Sequence, residues 1–526
     1  MKDNNVLSQL LQAARKNPYK IAIQYYSGEE RGPLYRSVTF KTLLQDVMAE
    51  AAFLKSKGLG RGDRIVVFIP MSYALYRVVL AIFYMGATAV FIDAWADRKR
   101  LNHACRLIQP RGFIGIGKAH LLRIYSEIRK IPIKIVSATG TPGDGLPDLE
   151  GFSPEILSEE DDALVTFTTG STGAPKAARR THGFLMRQHQ VLSKNLLLKP
   201  DDVDLTTLPM FVLNNLASGV TSVLPRFNPA HPADFDPAEV LRQIRICGIT
   251  TSGGSPAFYE VLADHILACC ASCPLRSLFT GGAPVFPPLA RKFLRAFPDT
   301  EITVVYGATE AEPISEINAR EVAAADIGRG LPVGKRVSDI RVNILSIPAD
   351  SQEEETGRPL SRRLARKSEV GEIIVCGPHV LREYLGDTGD TARNKITDGQ
   401  NLWHRTGDAG WVDERGVIRL LGRVQNRFVR DDLCVYTLPL EQMLRDIEGV
   451  VFTAVFEVRS EVYALIEPAP GFSRRGRSSL LDQARSLLST YPVDHFLIRD
   501  SIPRDPRHHS KVNYEALKRQ YSAKGF

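Results

Sequence analysis

The stretch from Val165 to Thr181 reads VTFTTGSTGAPKAARRT, and the expected fold follows from it. The apolar, β-branched run Ala163–Phe167 predicts a buried strand. Residues Thr168–Lys176 are then almost all hydroxyl-bearing residues, glycine and proline. Small side chains let many backbone N–H groups converge, and Lys176 and the two arginines behind it add positive charge. This combination predicts a site for a polyphosphate at the end of a strand.

Two alternatives exist for this loop. The common P-loop pattern G-x-x-x-x-G-K-[ST] does not fit, because Gly170 and Gly173 are too close and Lys176 follows Pro175 rather than a glycine. A flexible surface turn is the other alternative, since clusters of Ser, Thr and Gly usually form turns. Motifs further along the chain favour the phosphate site.

The nine residues TTGSTGAPK resemble the phosphate loop of the adenylate-forming superfamily, which includes acyl-CoA synthetases, peptide-synthetase adenylation domains and luciferases. The resemblance implies an enzyme that joins a carboxylic acid to AMP with release of pyrophosphate. It implies that ATP phosphates bind at Thr168, Thr169, Gly170, Ser171, Thr172, Gly173 and Lys176.

The segment YGATE at 306–310 is similar to the second strong motif of the superfamily. The resemblance implies that Tyr306 stacks on adenine beside Gly307, that Thr309 contacts the α-phosphate and that Glu310 binds Mg²⁺. A hard cation that bridges phosphates does prefer oxygen ligands. The alternative is that Glu310 is an ordinary surface carboxylate.

Two further motifs complete the implied nucleotide site. The turn Gly281–Gly282–Ala283 follows an expected strand, and two glycines permit a flat base to lie against the backbone. In the superfamily this turn holds adenine. Asp408 ends the motif WHRTGD, and its family counterpart binds both ribose hydroxyls, a task that suits the two oxygens of a carboxylate. Arg423 matches the second ribose contact of the family.

Spacing of the apolar runs predicts an α/β fold. Arg64–Ile69 is an expected strand, Tyr73–Met85 a helix and Ala89–Ile92 a strand, and this alternation argues for a doubly wound parallel sheet. The resemblance adds a small barrel-like part to this region. A chain of 526 residues is expected to contain more than one core.

The sequence predicts two domains. Residues 1–423 form the large N-terminal AMP-binding domain, and 424–526 form a small mobile α+β domain, with a hinge near 424–426 at Gln425. Lys511, near the chain end and ahead of an expected helix, resembles the catalytic lysine that reaches the α-phosphate and the substrate carboxylate. The alternative is a solvated lysine in a basic loop.

Composition limits the partners. The net charge is 67 − 59 = +8, which suits an anionic substrate, but no basic cluster is long enough to favour nucleic acid. The most apolar stretch, Val78–Ile92, is shorter than a membrane span, and the first residues lack the apolar core of a signal peptide. Seven scattered cysteines, an odd number, suggest reduced thiols. A cytoplasmic enzyme without a transmembrane segment is expected, and its oligomeric state is left open.

The acyl pocket is expected among 211–218, 251–256 and 281–314. Phe211 follows an expected strand at the position where an aromatic residue or histidine gates this pocket in the family. It could equally be a core aromatic. Asn214 is a second candidate, able to hydrogen-bond the substrate or the backbone.

The second half-reaction is expected to differ from that of acyl-CoA synthetases. Those enzymes carry an Asp or Lys at the hinge and then a turn with glycine, along which pantetheine lies. Here the hinge residue is Gln425, and the following FVRDDLCVYTLPLE contains no glycine but has adjacent acidic residues, Asp431 and Asp432. CoA is therefore a doubtful co-substrate.

The segments Gly422–Arg427, Pro439–Glu441 and Asp505–Lys511 resemble the β-lactone synthetases of long-chain olefin biosynthesis. The resemblance implies that a 3-hydroxy fatty acid is activated and that its own hydroxyl displaces AMP, which effective molarity makes efficient. His508 and His509 are candidates for accepting the hydroxyl proton, or simply face solvent. The alternatives are a fatty or aryl acyl-CoA synthetase, a carrier-protein acylating ligase, and a non-catalytic nucleotide-binding protein.

Overall fold

The computed structural model describes residues 5–28, 34–92, 98–137, 151, 153–169, 175–228, 231–347, 359–386, 388–430, 433–504 and 511–523. The helices are α1 (Leu7–Lys16), α2 (Phe40–Ser56), α3 (Tyr73–Tyr84), α4 (Arg98–Ile108), α5 (His182–Leu196), α6 (Pro209–Ala217), α7 (Pro237–Ile246), α8 (Pro256–Cys269), α9 (Pro287–Ala296), α10 (Ala319–Ala323), α11 (Thr388–Asn394), α12 (Thr437–Arg445), α13 (Arg474–Leu487) and α14 (Tyr514–Ala523).

The strands are β1 (Ile21–Tyr26), β2 (Tyr35–Thr39), β3 (Arg64–Phe68), β4 (Thr88–Phe91), β5 (Gly112–Gly115), β6 (Ile133–Val136), β7 (Asp162–Thr169), β8 (Pro175–Thr181), β9 (Val203–Thr206), β10 (Thr221–Val223), β11 (Thr251–Gly254), β12 (Ser277–Gly281), β13 (Glu301–Ala308), β14 (Ala311–Asn318), β15 (Leu331–Arg336), β16 (Arg341–Leu345), β17 (Gly371–Cys376), β18 (Lys395–Asp398), β19 (Asn401–Val412), β20 (Val417–Arg423), β21 (Phe428–Arg430), β22 (Leu433–Val435), β23 (Val450–Val458), β24 (Glu461–Pro468) and β25 (His495–Ile498).

The first sheet has six strands in the order β6-β5-β3-β4-β7-β8. All its pairings are parallel except that of β8 with β7. Helix α3 is buried along almost its whole length because its sequence YALYRVVLAIFY is apolar on every side, and it packs against α2. This sheet confirms the predicted doubly wound α/β architecture.

Strand β8 was not predicted. The phosphate-loop sequence joins β7 to β8 as an antiparallel hairpin, in which Lys176 lies opposite Thr168. The predicted helix after the loop is confirmed as α5. It starts as soon as β8 ends, because the Thr181 hydroxyl caps it by accepting a 3.1 Å hydrogen bond from the Phe184 backbone N–H.

The second sheet contains fourteen strands. The segment β1-β10-β9-β11-β12-β13 is parallel, and the sheet then continues through the antiparallel strands β14, β15, β20, β19, β17 and β16. The change from parallel to antiparallel pairing occurs at the β13–β14 hairpin. The motif YGATE spans this hairpin, so the second superfamily motif lies where the sheet changes direction.

The C-terminal region has its own small sheet, β23-β24-β25. One apolar cluster joins this sheet to α12 and α13 through residues such as Leu440 and Leu480, and another joins it to α14 through Phe452 and Leu517. The predicted α+β character of this region is confirmed, with β25 at the bounds expected from the sequence. No described helix combines the length and the apolar character that crossing a bilayer requires.

Candidate active site

The glycine turn lies beside Tyr306. Gly281 ends β12 and pairs with Val305 on β13, and a Cβ on Gly281 would lie 2.5 Å from the Val305 carbonyl oxygen. Only glycine permits this approach. Gly282 has a φ of +81°, which also favours glycine. The structure thus brings together the two motifs from which the sequence predicted an adenine site.

Asp408 lies between Tyr306 and Arg423. The Tyr306 hydroxyl donates to Asp408 Oδ2 at 2.7 Å, and Arg423 Nε lies 3.2 Å from Asp408 Oδ1. Asp408 and Arg423 are direct partners on β19 and β20, and Arg423 also donates to the Thr406 carbonyl at 2.9 Å. The Asp408 carboxylate raises the pKa of Arg423, which therefore stays charged. The predicted adenine and ribose residues form one hydrogen-bonded group.

Thr309 and Glu310 form the turn of the β13–β14 hairpin, and three contacts hold this turn. Arg180 donates to the Thr309 carbonyl at 2.9 Å, and the Leu381 N–H donates to the Glu310 carbonyl at 2.7 Å. The Tyr384 hydroxyl donates to Glu310 Oε1 at 2.8 Å. Glu310 is thus oriented by a residue from another part of the chain, not a free surface carboxylate.

Two lysines lie near the Tyr384 ring. Lys176 Nζ lies 5.4 Å and Lys395 Nζ 6.0 Å from its centroid. Burial lowers the pKa of Lys395 to about 7, although the nearby charge of Glu310 opposes the shift. Burial together with Lys395, Lys176 and Arg423 lowers the pKa of His404. These basic groups lie around Tyr384, Glu310 and Asp408, a position that suits an anionic substrate.

Sequence reasoning missed Tyr384 and Lys395. Neither belongs to a motif recognised in the sequence, and no local pattern marks them. They reach the site because Tyr384 contacts Glu310 and because β18, which begins with Lys395, pairs with β19.

The two arginines that follow the phosphate loop were expected to add positive charge there. Arg179 instead forms ion pairs with Asp162 and Glu383, and Arg180 is buried and bonded to Thr309. Both guanidinium groups are engaged by protein oxygens. Lys176, on β8, is buried as well.

Several predicted residues are only partly described. Thr168 and Thr169 end β7, whereas 170–174 lie outside the described residues, as do Asp431, Asp432, His508 and His509. Gln425 lies in a short 3₁₀ turn at Val424–Asn426. Lys511 is partly buried and directly precedes Val512, which forms a β-bridge with Arg504.

An apolar cavity of about 660 Å³, part of it open to solvent, lies beside the hairpin turn. Phe211 and Asn214 of α6 line it, as does Glu312, two residues after Glu310. Of the three segments expected to form an acyl pocket, 251–256 contributes nothing to this cavity. The sequence did not predict the contribution of α1 and α5, which supply Leu10 and His189 among others.

The site has a donor set compatible with Mg²⁺. This ion is usually held by one or two carboxylates together with substrate phosphates, so Glu310 beside a phosphate site suffices. Within the described part of the chain, no cluster of three or more His, Cys, Asp or Glu side chains could hold a metal alone. The site therefore fits an ion that arrives with a nucleotide.

Fold and site together define an ATP-dependent α/β enzyme, and an apolar cavity lies near its site. The model of the family described as AMP-binding enzyme matches residues 10–385, and the chain belongs to this family. It is an AMP-forming acid ligase, an enzyme that uses ATP to activate a carboxylic acid.

Curated relatives and solved structures resemble the chain over nearly its whole length. It is 32% identical to an olefin β-lactone synthetase of Stenotrophomonas maltophilia, covering 98% of this chain and 97% of that protein. It is 30% identical to an olefin β-lactone synthetase of Xanthomonas campestris, covering 98% of this chain and 96% of that protein. ATP-bound MatB from Rhodopseudomonas palustris has the same fold, with a TM-score of 0.80 at 20% identity over 99% of both chains.

Proposed function

We propose that this enzyme activates a 3-hydroxy fatty acid as its acyl-adenylate and then closes it to a β-lactone. The observation that carries the proposal is the near full-length similarity to two olefin β-lactone synthetases. The site agrees with it, because Glu312, two residues after Glu310 of the nucleotide motif, lines an apolar cavity. The proposal places a fatty chain in this cavity with its carboxylate toward the α-phosphate.

In the first step, a carboxylate oxygen attacks the α-phosphorus. A C–O–P bond forms, the bond between the α- and β-phosphates breaks, and pyrophosphate leaves. Both reactants are anions, so the protein must align them and offset their repulsion. Lys176 and the phosphate loop hold the β- and γ-phosphates, and Lys511 approaches the α-phosphate. Mg²⁺ held by Glu310 supplies further positive charge when bound.

In the second step, the 3-hydroxyl oxygen attacks the acyl carbon of the adenylate. The ring C–O bond forms, the mixed-anhydride C–O bond breaks, AMP leaves, and the hydroxyl proton passes to a base. His508 and His509 are the sequence candidates for that base. Because nucleophile and acyl group belong to one molecule, no second substrate needs a channel.

CoA as the acceptor is the alternative. The segment after Gln425 contains no glycine, and it carries the acidic pair Asp431–Asp432. Both features disfavour the binding of pantetheine along this segment. Release of AMP from a 3-hydroxy acid, measured with and without CoA and followed by mass spectrometry of the product, distinguishes the two. AMP release that requires CoA would replace the lactone proposal with thioester formation.

The proposal includes a boundary between 1–423 and 424–526 and a cytoplasmic location. One C-terminal apolar cluster begins at Phe428 and the other at Phe452, which supports the boundary. Lys511 must cross from the small domain to reach the nucleotide. Opening and closing of the small domain would meet that need.

The role of Lys511 is tested by Lys511→Ala. Acid-dependent ATP–pyrophosphate exchange should fall by roughly 10²–10³, as when a single electrostatic donor is lost. Arg519→Ala is the matched control, since it removes an exposed positive charge from helix α14, which follows Lys511. Normal exchange by Lys511→Ala would refute this assignment.

A further inference from the structure

A polar pair lies in the apolar cavity and has no role in the mechanism above. His189 of α5 and Asn214 of α6 both line the cavity, and His189 Nδ1 lies 2.8 Å from Asn214 Oδ1. Around them the wall is mainly apolar, including Leu10, Phe83 and Leu192. Polar groups in such a wall are unfavourable unless something hydrogen-bonds them.

The hydrogen-bonding capacity of the pair is only partly used. Since Oδ1 of Asn214 is an acceptor, His189 donates through Nδ1–H and keeps a lone pair on Nε2. Burial lowers the pKa of His189, so the ring is neutral near pH 7. Among the described residues, Nε2 has no hydrogen-bond partner. Asn214 is 5% exposed, and its Nδ2 is buried without a partner in the described structure.

The Asn214 Nδ2 amide group therefore offers unused donors, and His189 Nε2 offers an unused acceptor, whereas Nδ1 also has Ser193 Oγ at 3.4 Å. Turning the amide by 180° makes Nδ2 donate to Nδ1, which leaves Nε2–H as a donor and Oδ1 as an acceptor. In both orientations at least one donor and one acceptor remain. A hydroxyl group, which donates one hydrogen bond and accepts others, matches this set.

Helix α5, which carries His189, contacts the segment that follows the hairpin turn. Gln188, the residue before His189, donates to the Glu312 carbonyl at 3.3 Å. Glu312 lines the same cavity as the pair and lies two residues after Glu310, in the turn expected to face the α-phosphate. A bound acid would have to place its carboxylate on this side of the cavity for its 3-hydroxyl group to reach the pair.

We propose that His189 and Asn214 form a hydroxyl-binding pair that selects and orients the 3-hydroxyl group of the acyl substrate. This proposal rests on the proposed function, because it assumes that the cavity holds the acyl chain. With the amide oriented as in the structure, Asn214 Nδ2–H would donate to the hydroxyl oxygen and the hydroxyl would donate to His189 Nε2. Orientation of this oxygen toward the acyl carbon would also assist ring closure.

The test compares each 3-hydroxy acid with the unsubstituted acid of the same chain length. ATP–pyrophosphate exchange gives kcat and KM for each acid with wild type, His189→Phe and Asn214→Leu. Wild type should prefer the 3-hydroxy acid. Each variant should lose about 10-fold or more of that preference, the value of one or two hydrogen bonds, because kcat/KM falls more for the 3-hydroxy acid than for the unsubstituted acid.

Two controls separate a hydroxyl-binding role from a structural one. Gln190→Ala changes an exposed residue of the same helix and should keep the wild-type preference. His189→Gln retains a hydrogen-bond donor and an acceptor and should keep part of the preference for the 3-hydroxy acid. A merely structural tie between α5 and α6 would lower kcat/KM equally for both acids.

The outcomes distinguish the two proposals. If none of the fatty acids tested supports pyrophosphate exchange by the wild-type enzyme, the proposed function fails. If wild type prefers 3-hydroxy acids and both variants retain that preference, or lose activity equally on both acids, the hydroxyl-binding pair is overturned. A preference lost only in His189→Phe and Asn214→Leu supports it.

Discussion

The hydroxyl of Tyr306 donates a 2.7 Å hydrogen bond to Oδ2 of Asp408, a residue 102 positions further along the chain. This contact joins the motif YGATE to the motif WHRTGD. Arg423 holds the other carboxylate oxygen. Two sequence motifs that were predicted to bind different parts of one nucleotide are thus fixed relative to each other.

We expect Asp408→Ala to weaken ATP binding more than Tyr306→Phe does. The alanine removes the carboxylate from Tyr306, Arg423 and the ribose, so KM for ATP should rise about 10- to 100-fold, the range for hydrogen bonds to a charged group. The phenylalanine retains the ring and should change KM less. Pyrophosphate exchange at varied ATP concentration measures KM for ATP in both variants. An equal rise in KM for Asp408→Ala and Tyr306→Phe would contradict a direct ribose contact by Asp408.

Arg180→Leu should destabilise the protein. Arg180 is 6% exposed and bonds the Thr309 carbonyl, and its charge also favours the ionised form of the partly buried Glu312. Losing a charged donor to a part-buried carbonyl costs about 1–3 kcal/mol, measurable by urea unfolding. Arg179→Leu, a change in the more exposed neighbour, should cost less. If the two variants were equally stable, Arg180 would not support the hairpin turn.

Lys395→Met should stabilise the protein in a pH-dependent manner. Lys395 has a native pKa of about 7 against an ordinary value of 10.5. Between these values the unfolded state binds more protons, so the stability of wild type relative to the variant rises with pH. The advantage of Lys395→Met should be greatest at and below pH 7 and should shrink toward pH 10.5.

Unfolding free energies over this pH range, measured for wild type and Lys395→Met, check the trend. Lys335→Met provides the control, because Lys335 is exposed. An advantage of Lys395→Met that did not vary with pH would show that the lysine keeps its ordinary pKa in the native state.

Ala217→Phe should shift chain-length preference toward shorter acids. Ala217 lines the cavity at the end of α6, and a phenyl ring there would fill space that an acyl chain otherwise occupies. Pyrophosphate exchange measured with fatty acids of increasing length should show that Ala217→Phe accepts only shorter chains than the wild-type enzyme. The control Ala217→Ser should keep the wild-type chain-length profile. An unchanged profile for Ala217→Phe would mean that the acyl chain lies elsewhere.

The sequence by itself determined the α/β class and the nucleotide motifs. The pattern of apolar residues predicted α3, α5 and β25 because this signal is local. The residues that form the buried face of a helix or strand lie close together in the sequence. Tyr306, Asp408 and Arg423 were recognised through resemblance to the superfamily, each within a short motif. Their common location could be expected only through resemblance to a family.

Tertiary structure alone decided what surrounds these motifs. It pairs β8 with β7, brings Tyr384 to Glu310, and places α1 against the cavity that contains His189. The contacts of Tyr384 and α1 leave no periodic or motif signal, because each joins residues far apart in sequence, and the packing of whole helices and strands sets their distances. The buried environments that shift Lys395 and isolate Asn214 arise only when those elements meet.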